Sequence, residues 1–365
     1  MTITSSTFRN NSAFMGGGIF GTGSSSSVSS VVTSPEITNT FSSASLARLT
    51  SDSLNSVSFL WNSAVAQGGG LAYKHVYGGL SLTSSLLFQN IASGIKVSWR
   101  RALQNTGFYT NNTTQHNTTQ HNTTQHNTTT QHQTQVCAAG DETCAGAGGG
   151  IASVYSPLIL DRCHLAGNGA FATAEFSPRG GAVFAFYDTH GTRDPGMNMK
   201  SRQGNSPYNN PQAIRTVETT FEYNAAAASS SARGGGVWIN GGGNFETTNF
   251  YNNTALSSLL FGQEANGGGG LYVDRSGLSS TGTNDGAVTL QNTNFIMNTV
   301  AKGGSGGGLY ARGDSLLKMD ALIFEGNVAT SSYSVKSAGG AMAMVSGESL
   351  RSYYTHYTHP LTTLN

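Results

Sequence analysis

The chain has 365 residues, with 19 Lys and Arg against 18 Asp and Glu for a formal net charge of +1. Charged residues make up only 10%, well under the ~25% of a typical soluble domain. The basic ones are scattered apart from the pair Arg100 and Arg101, so nucleic acid, which needs a clustered basic surface, is excluded as a partner. No apolar run approaches the ~18 residues that span a bilayer, and the opening MTITSSTFRNNSAF lacks the apolar core of a signal peptide.

Glycine is the outlier, at 48 residues against 7 prolines, about twice its usual ~7% share. In chain order the glycines belong to a two-part unit: a Phe-x-x-Asn tetrapeptide, a spacer, then a glycine cluster running into an apolar stretch. TITSSTF (2–8) alternates as a strand does and runs into Phe8 to Asn11, followed by GGGIF at 16–20. Phe59 to Asn62 precedes GGGLAY at 68–73, and the alternating GLSLTSSLLF (79–88) leads into a degenerate copy, Leu87 to Asn90, before SGIKV at 93–97. Phe108 to Asn111 precedes GGGIASV at 148–154, and a second degenerate copy, Leu165 to Asn168, precedes GGAVFAF at 180–186. Phe221 to Asn224 then leads to GGGVWI (234–239) and Phe250 to Asn253 to GGGGLYV (267–273). AVTLQNTNF (287–295) brings Phe295 to Asn298 before GGGLYA (306–311), and LLKMDALIF (316–324) brings Phe324 to Asn327 before GGAMAM (339–344). Nine ordered alternations are thus expected, separated by between 21 residues (Leu87 to Phe108) and 57 (Phe108 to Leu165).

A unit of short strands without helical periodicity cannot bury its apolar face alone and must stack on its neighbours. The expected fold is therefore all-β, a right-handed parallel β-helix of the pectin-lyase-like kind with long loop insertions, about 45 Å long for nine coils. Phe is expected to point inward and stack between coils. Asn suits a turn and an amide ladder, and glycine suits positive φ and close backbone approach. A β-sandwich with glycine-rich turns is the architectural rival. The expected organisation is one solenoid over 1–350 and a tail at 351–365, with a disordered loop inserted at 112–136.

That loop reads NTTQH three times and NTTTQH once between 112 and 132. Its plainest reading is a tandem expansion tolerated in a spacer. Asn112, Asn117, Asn122 and Asn127 each open an N-x-T sequon, as Asn111 does, and Asn10 and Asn252 open two more, so a eukaryotic secretory pathway offers glycosylation there. His116, His121, His126 and His132 lack the spacing and fixed partners of a metal site; no metal and no cofactor is expected. Three cysteines exclude a disulfide framework, leaving one candidate bridge, Cys137 to Cys144, with Cys163 as a buried thiol.

The alternation of FxxN with GGA[ILV] or GGG[ILV] over residues 8 to 344 resembles the repeat of chlamydial polymorphic outer membrane proteins. In that family the repeats form the β-helical passenger of an autotransporter, displayed outside the cell and associated with adhesion. The resemblance implies a non-enzymatic, adhesin-like scaffold that is secreted or associated with the outer membrane. Its partners would be a protein or glycan of a host or neighbouring cell, and the coil ends would pair with missing sequence. Because the chain begins inside a strand and shows no translocator-like series of strands, it is expected to be a fragment of a longer surface protein.

Two rival functions are weighed against this. A polysaccharide lyase or hydrolase on the same scaffold needs converging carboxylates; Asp188, Asp194, Asp274 and Asp314, with Arg193 beside Asp194, are the candidates, although paired acids within one coil are lacking. A glycan-binding module needs exposed aromatics in a row, for which Trp61, Trp238, Tyr272 and Tyr310 are the candidates. No residue is assigned a catalytic role. The glycine clusters match neither a phosphate loop nor a calcium-binding roll.

Overall fold

The computed structural model describes residues 1–23, 28–31, 41–43, 52–74, 79–94, 146–172, 177–187, 212–228, 231–257, 267–274, 287–312, 317–330, 339–346 and 349–351. These residues form a parallel β-helix. Each coil carries four short strands, as in Asp52–Asn55, Ser58–Leu60, Ser63–Gln67 and Leu71–Lys74. Equivalent strands of successive coils pair in parallel, which generates four sheets, here called A to D in the order in which the chain visits them. Sheets A, B and C have eight strands each. Sheet D has eleven, because two antiparallel strands, Val28–Val31 and Phe41–Ser43, extend it beyond the first coil, and Ser349–Arg351 extends it beyond the last. Eight coils at a rise of ~4.8 Å span about 35–40 Å.

Alternation within these strands gives the core. The second residue of each sheet B strand is the motif Phe or its Leu replacement, and the column runs Phe8, Phe59, Leu87, Leu165, Phe221, Phe250, Phe295, Phe324. Its rings are stacked at 5.1 Å between Phe8 and Phe59, 5.0 Å between Phe221 and Phe250, 4.8 Å between Phe250 and Phe295, and 4.9 Å between Phe295 and Phe324. Burying each such side chain contributes roughly 1.5–3 kcal/mol.

Three corners separate the four sheets, and each corner holds a column of left-handed residues. Between A and B these include Ser56, Arg162 and Thr247; between B and C, Asn10, Trp61, Gln89, Tyr223, Asn252 and Met297. Between C and D the residue is the glycine three positions before each sheet D strand, as in Gly16, Gly68, Gly148, Gly268 and Gly339. Glycine is obligatory at that third corner for a reason beyond φ: a Cβ on Gly148 would lie 1.9 Å from the carbonyl oxygen of Ile151. The second glycine faces the next coil instead, so that a Cβ on Gly149 would meet the Gly181 oxygen at 2.4 Å.

The structure corrects one part of the repeat as read from sequence. The coil that contains Leu87 to Asn90 closes not through SGIKV but through Gly148 to Gly150 and the strand Ile151–Val154, which pairs with Leu71–Lys74. The reason is steric. Gly69 donates its N–H to the Gly148 oxygen, and the close approach there demands a second residue without a Cβ, whereas Ile95 follows Gly94. Asn90 then bonds directly to Asn168, 78 residues on. The ladder has eight rungs among the described residues, and Phe108 and Asn111 lie outside those residues. The loop at 112–136, with its sequons and histidines, also lies outside them, as do Cys137, Cys144 and residues 352–365 of the tail.

Candidate functional site

The motif residues form the spine of the rod. Each interior ladder Asn uses all of its amide capacity: Asn253 Nδ2 donates to the Phe221 carbonyl (2.9 Å) and to Asn298 Oδ1 (3.0 Å). Its own Oδ1 accepts the Asn224 backbone N–H (3.1 Å) and Asn224 Nδ2 (2.9 Å). The same set recurs from Asn62 to Asn298. A second polar column, two residues before the motif Phe, was not read from the sequence. There the hydroxyls of Ser85, Thr219, Thr248 and Thr293 donate to the carbonyl two residues back. Cys163 occupies one of these places, bonding the Leu82 and Asp161 carbonyls. Burial, ahead of every other influence, pushes its thiol up to about 11. The available signal was the recurring Ser/Thr-x-Phe of STF, TTF and TNF.

Function then rests on side chains that point away from the spine. On the outer side of sheet D the central residues run Ala152, Phe184, Trp238, Tyr272, Tyr310. Phe184 stacks on Trp238 at 4.7 Å, and Tyr272 on Tyr310 at 4.8 Å. Of the expected exposed row, Trp238, Tyr272 and Tyr310 do align here, but they are buried, Trp238 at 0% exposed and Tyr310 at 5%, and Trp61 lies elsewhere. Arg179 lies over the Trp238 ring at 4.9 Å and Arg233 over Tyr272 at 5.7 Å, with Asp274 3.8 Å from Arg233. Burial raises the pKa of the Tyr272 and Tyr310 hydroxyls. Burial acts to lower the pKa of Arg312, yet Tyr272 and Asp274 beside it leave it raised.

Apart from Phe14 in the sheet C strand Ser12–Met15, the exposed aromatics among the described residues lie instead at the corner between sheets B and C. Trp61 is 39% exposed, Tyr223 42% and Met297 47%. Arg9 covers one face of Trp61 at 4.5 Å, and the indole N–H donates to Gln89 Oε1 at 2.6 Å. Phe88 meets the Trp61 ring edge-on at 6.0 Å, and Tyr223 meets Tyr251 edge-on at 5.7 Å. His164 pairs with Glu222 at 3.0 Å on the neighbouring sheet B surface. Of the two described sequons, Asn10 is exposed and Asn252 half-buried, both on this corner.

No family model, curated protein or solved structure matches the chain.

Of the four candidate carboxylates, Asp274 is the one the structure describes, and it is buried against Arg233. Asp188, Arg193, Asp194 and Asp314 lie outside the described residues. Among the described residues no group of three or more His, Cys, Asp or Glu is placed to hold a metal ion, and no helix is long and apolar enough to cross a membrane.

Proposed function

We propose that the chain is a non-enzymatic scaffold of a cell surface or of the secreted space, adhesin-like, whose stacked spine holds a set of outward side chains at fixed spacing for contact with another cell's surface. The observation that supports this is the division of labour within the repeat. Phe, Asn and glycine are consumed by coil-to-coil bonding, while the residue between Phe and Asn at the B–C corner is free to vary and points outward. A glycan is the favoured contact on that corner, because Trp61, Tyr223 and Tyr251 give partly exposed ring faces about one coil rise apart or in multiples of it. The resemblance of the repeat to outer-membrane passengers agrees with this reading.

The test is incubation of the purified chain with neutral and acidic polysaccharides, with and without calcium, scoring retention of polymer and release of new chain ends. Retention lost in Trp61→Ala and Tyr223→Ala, without turnover, is the expected result. Turnover abolished by substituting Asp188, Asp194, Asp274 or Asp314 would make the protein a carbohydrate-active enzyme and overturn the reading.

A further inference from the structure

We propose that the corner between sheets B and C carries, over Gly167, a recess for one neutral pyranose ring of a glycan chain. The proposal rests on the glycan reading of that corner and narrows it to one place and one class of sugar.

The fourth coil, whose sheet B strand is His164–Ala166, is where the corner column lacks a side chain between two coils that have one. The third coil puts Gln89 there and the fifth Tyr223, whereas the fourth puts Gly167, at φ 64°. The Gly167 N–H donates to the Glu222 carbonyl at 2.9 Å, and the Gln89 N–H to the Ala166 carbonyl at 3.0 Å, so the backbone keeps its register while the side-chain place is empty. A Cβ on Gly167 would meet only Gln89, 3.2 Å from its Cγ and 4.0 Å from its N, and nothing on the Tyr223 side comes as near. Gln89 and Tyr223 stand two coil rises apart, about 10 Å. That is the room one ring takes when it lies a single rise from each neighbour, as the rings of the Phe column do at 5.0 and 4.8 Å.

The surroundings of this empty place match a sugar in shape and in hydrogen bonding. On the sheet B side His164 Nε2 pairs with Glu222 Oε2 at 3.0 Å, which leaves Glu222 Oε1 as an acceptor. On the sheet C side the Phe171 ring lies back over Gly169, 2.4 Å from where a Cβ there would stand. Toward the fifth coil is Tyr223, which Tyr251 meets edge-on and hydrogen-bonds from the far side. Toward the third coil is Gln89, whose Oε1 takes the Trp61 indole N–H and whose Nε2 remains a donor. A pyranose offers an apolar C–H face for the aromatic rings, one hydroxyl that donates to Glu222, and a vicinal hydroxyl that accepts from Gln89.

Charge decides the class of sugar. Glu222 sets a carboxylate at the wall of the recess, and the arginine of this corner, Arg9, lies over Trp61 three coils away. A uronate or sulfated ring would bring a second negative charge against Glu222 without a fixed cation to meet it, whereas a neutral ring brings only donors and acceptors.

The experiment titrates the full chain with fluorescently labelled hexasaccharides of gluco, manno and galacto configuration and with a galacturonate hexasaccharide, read by anisotropy. At least one neutral probe should bind saturably, tenfold or more tighter than the galacturonate. Gly167→Asn fills the recess with a residue that this corner accepts at Asn10 and Asn252, and it should weaken the neutral probe tenfold or more. Gly326→Asn, the same change at the eighth coil's corner, should leave affinity unchanged. Ring-proton shifts in the parent protein give a second readout that needs no variant: Tyr223 and Phe171 should move on saturation. Unchanged affinity in Gly167→Asn, or shifts confined to Trp61 and Phe88, would overturn the recess while leaving glycan contact at the corner in place. Failure of every neutral probe to saturate would overturn both, and tighter binding of the galacturonate would overturn the neutral class.

Discussion

Replacing Asn253 by Ala in the interior of the ladder, set against the same change at Asn327, separates a structural spine from a decorative row of amides. Asn253 is fully buried, and its side chain takes part in four hydrogen bonds. Truncation leaves the Asn224 backbone N–H, one Asn224 Nδ2 hydrogen and the ladder contact at the Phe221 carbonyl without their partner in a place closed to water. An orphaned buried group costs about 1–3 kcal/mol, and partial relaxation makes the sum less than additive, so Asn253→Ala should destabilise by roughly 3–5 kcal/mol. Asn327 makes the same contacts toward coil seven but is half-exposed. Water can satisfy the groups its truncation releases, and about 1 kcal/mol is expected. Urea unfolding of both variants by far-ultraviolet circular dichroism, with tryptophan fluorescence as a second probe for a multistep transition in a repeat array, gives the comparison. Equal losses for the two variants, or less than about 1 kcal/mol for Asn253→Ala, would refute the argument that the ladder carries the fold.

Adjacent glycines should respond very differently to alanine. Gly149→Ala places a Cβ 2.4 Å from the Gly181 oxygen and should cost more than ~3 kcal/mol, since the obstruction is backbone. Gly150→Ala meets its nearest oxygen at 2.9 Å, in a column that already holds Ala182 and Ala341, and should cost under ~2 kcal/mol; thermal melts of the pair decide it. Cys163→Thr should stay within about 1 kcal/mol of the parent at pH 7, because Thr219 and Thr248 hold the same place in neighbouring coils. The same variant carries a pH signature. Burial favours the protonated thiol in the fold, so its folded pKa, about 11, stands above the ordinary value of 9.0. That contribution is complete below pH 9 and is lost as pH rises toward 11, amounting to about 2 kcal/mol by pH 10.5. The difference between parent and Cys163→Thr should therefore change by about that amount between pH 7 and 10.5 in chemical denaturation; a constant difference would show that the thiol is not held as the structure has it.

The fold was legible because the spine repeats. Phe, Asn and glycine recur at fixed order, and each has one physical use in a stacked coil, so even Leu87 and Leu165 could be placed in the Phe column. The coil count was less legible, because the tetrapeptide alone does not say which copies are neighbours: Leu87 pairs directly with Leu165 and Asn90 with Asn168, although Phe108 to Asn111 falls between them in sequence. What distinguishes a rung is the pair of neighbours above and below it, which a linear sequence does not display. The Ser/Thr column was missed for a related reason: its donors bond their own backbone two residues away, and single Ser or Thr residues before a Phe are common in a chain of this composition. The outward aromatics were half legible. Of Trp61, Trp238, Tyr272 and Tyr310, expected as an exposed row, the last three do align, but alternation reports only which side of a sheet a residue takes, and the outer side of sheet D proves buried.

The B–C corner shows how such a rod can vary its surface without altering its fold. Left-handed backbone costs an ordinary residue about 1–2 kcal/mol, yet Trp61, Gln89, Tyr223 and Met297 all adopt it at φ of 51–55°. Nothing in their side chains favours that conformation; it is imposed by the flanking Phe and Asn, whose stacking and amide bonds fix the chain two residues before and one residue after. A position held from both sides accepts side chains as different as those of Trp, Gln, Tyr and Met, though not proline, whose φ is fixed near −65°, nor readily a β-branched residue, and that side chain points outward at a height set by the coil. Changing Trp61 or Tyr223 should therefore alter what the surface contacts while leaving the ladder and its stability almost unchanged, which is the combination a displayed recognition surface requires.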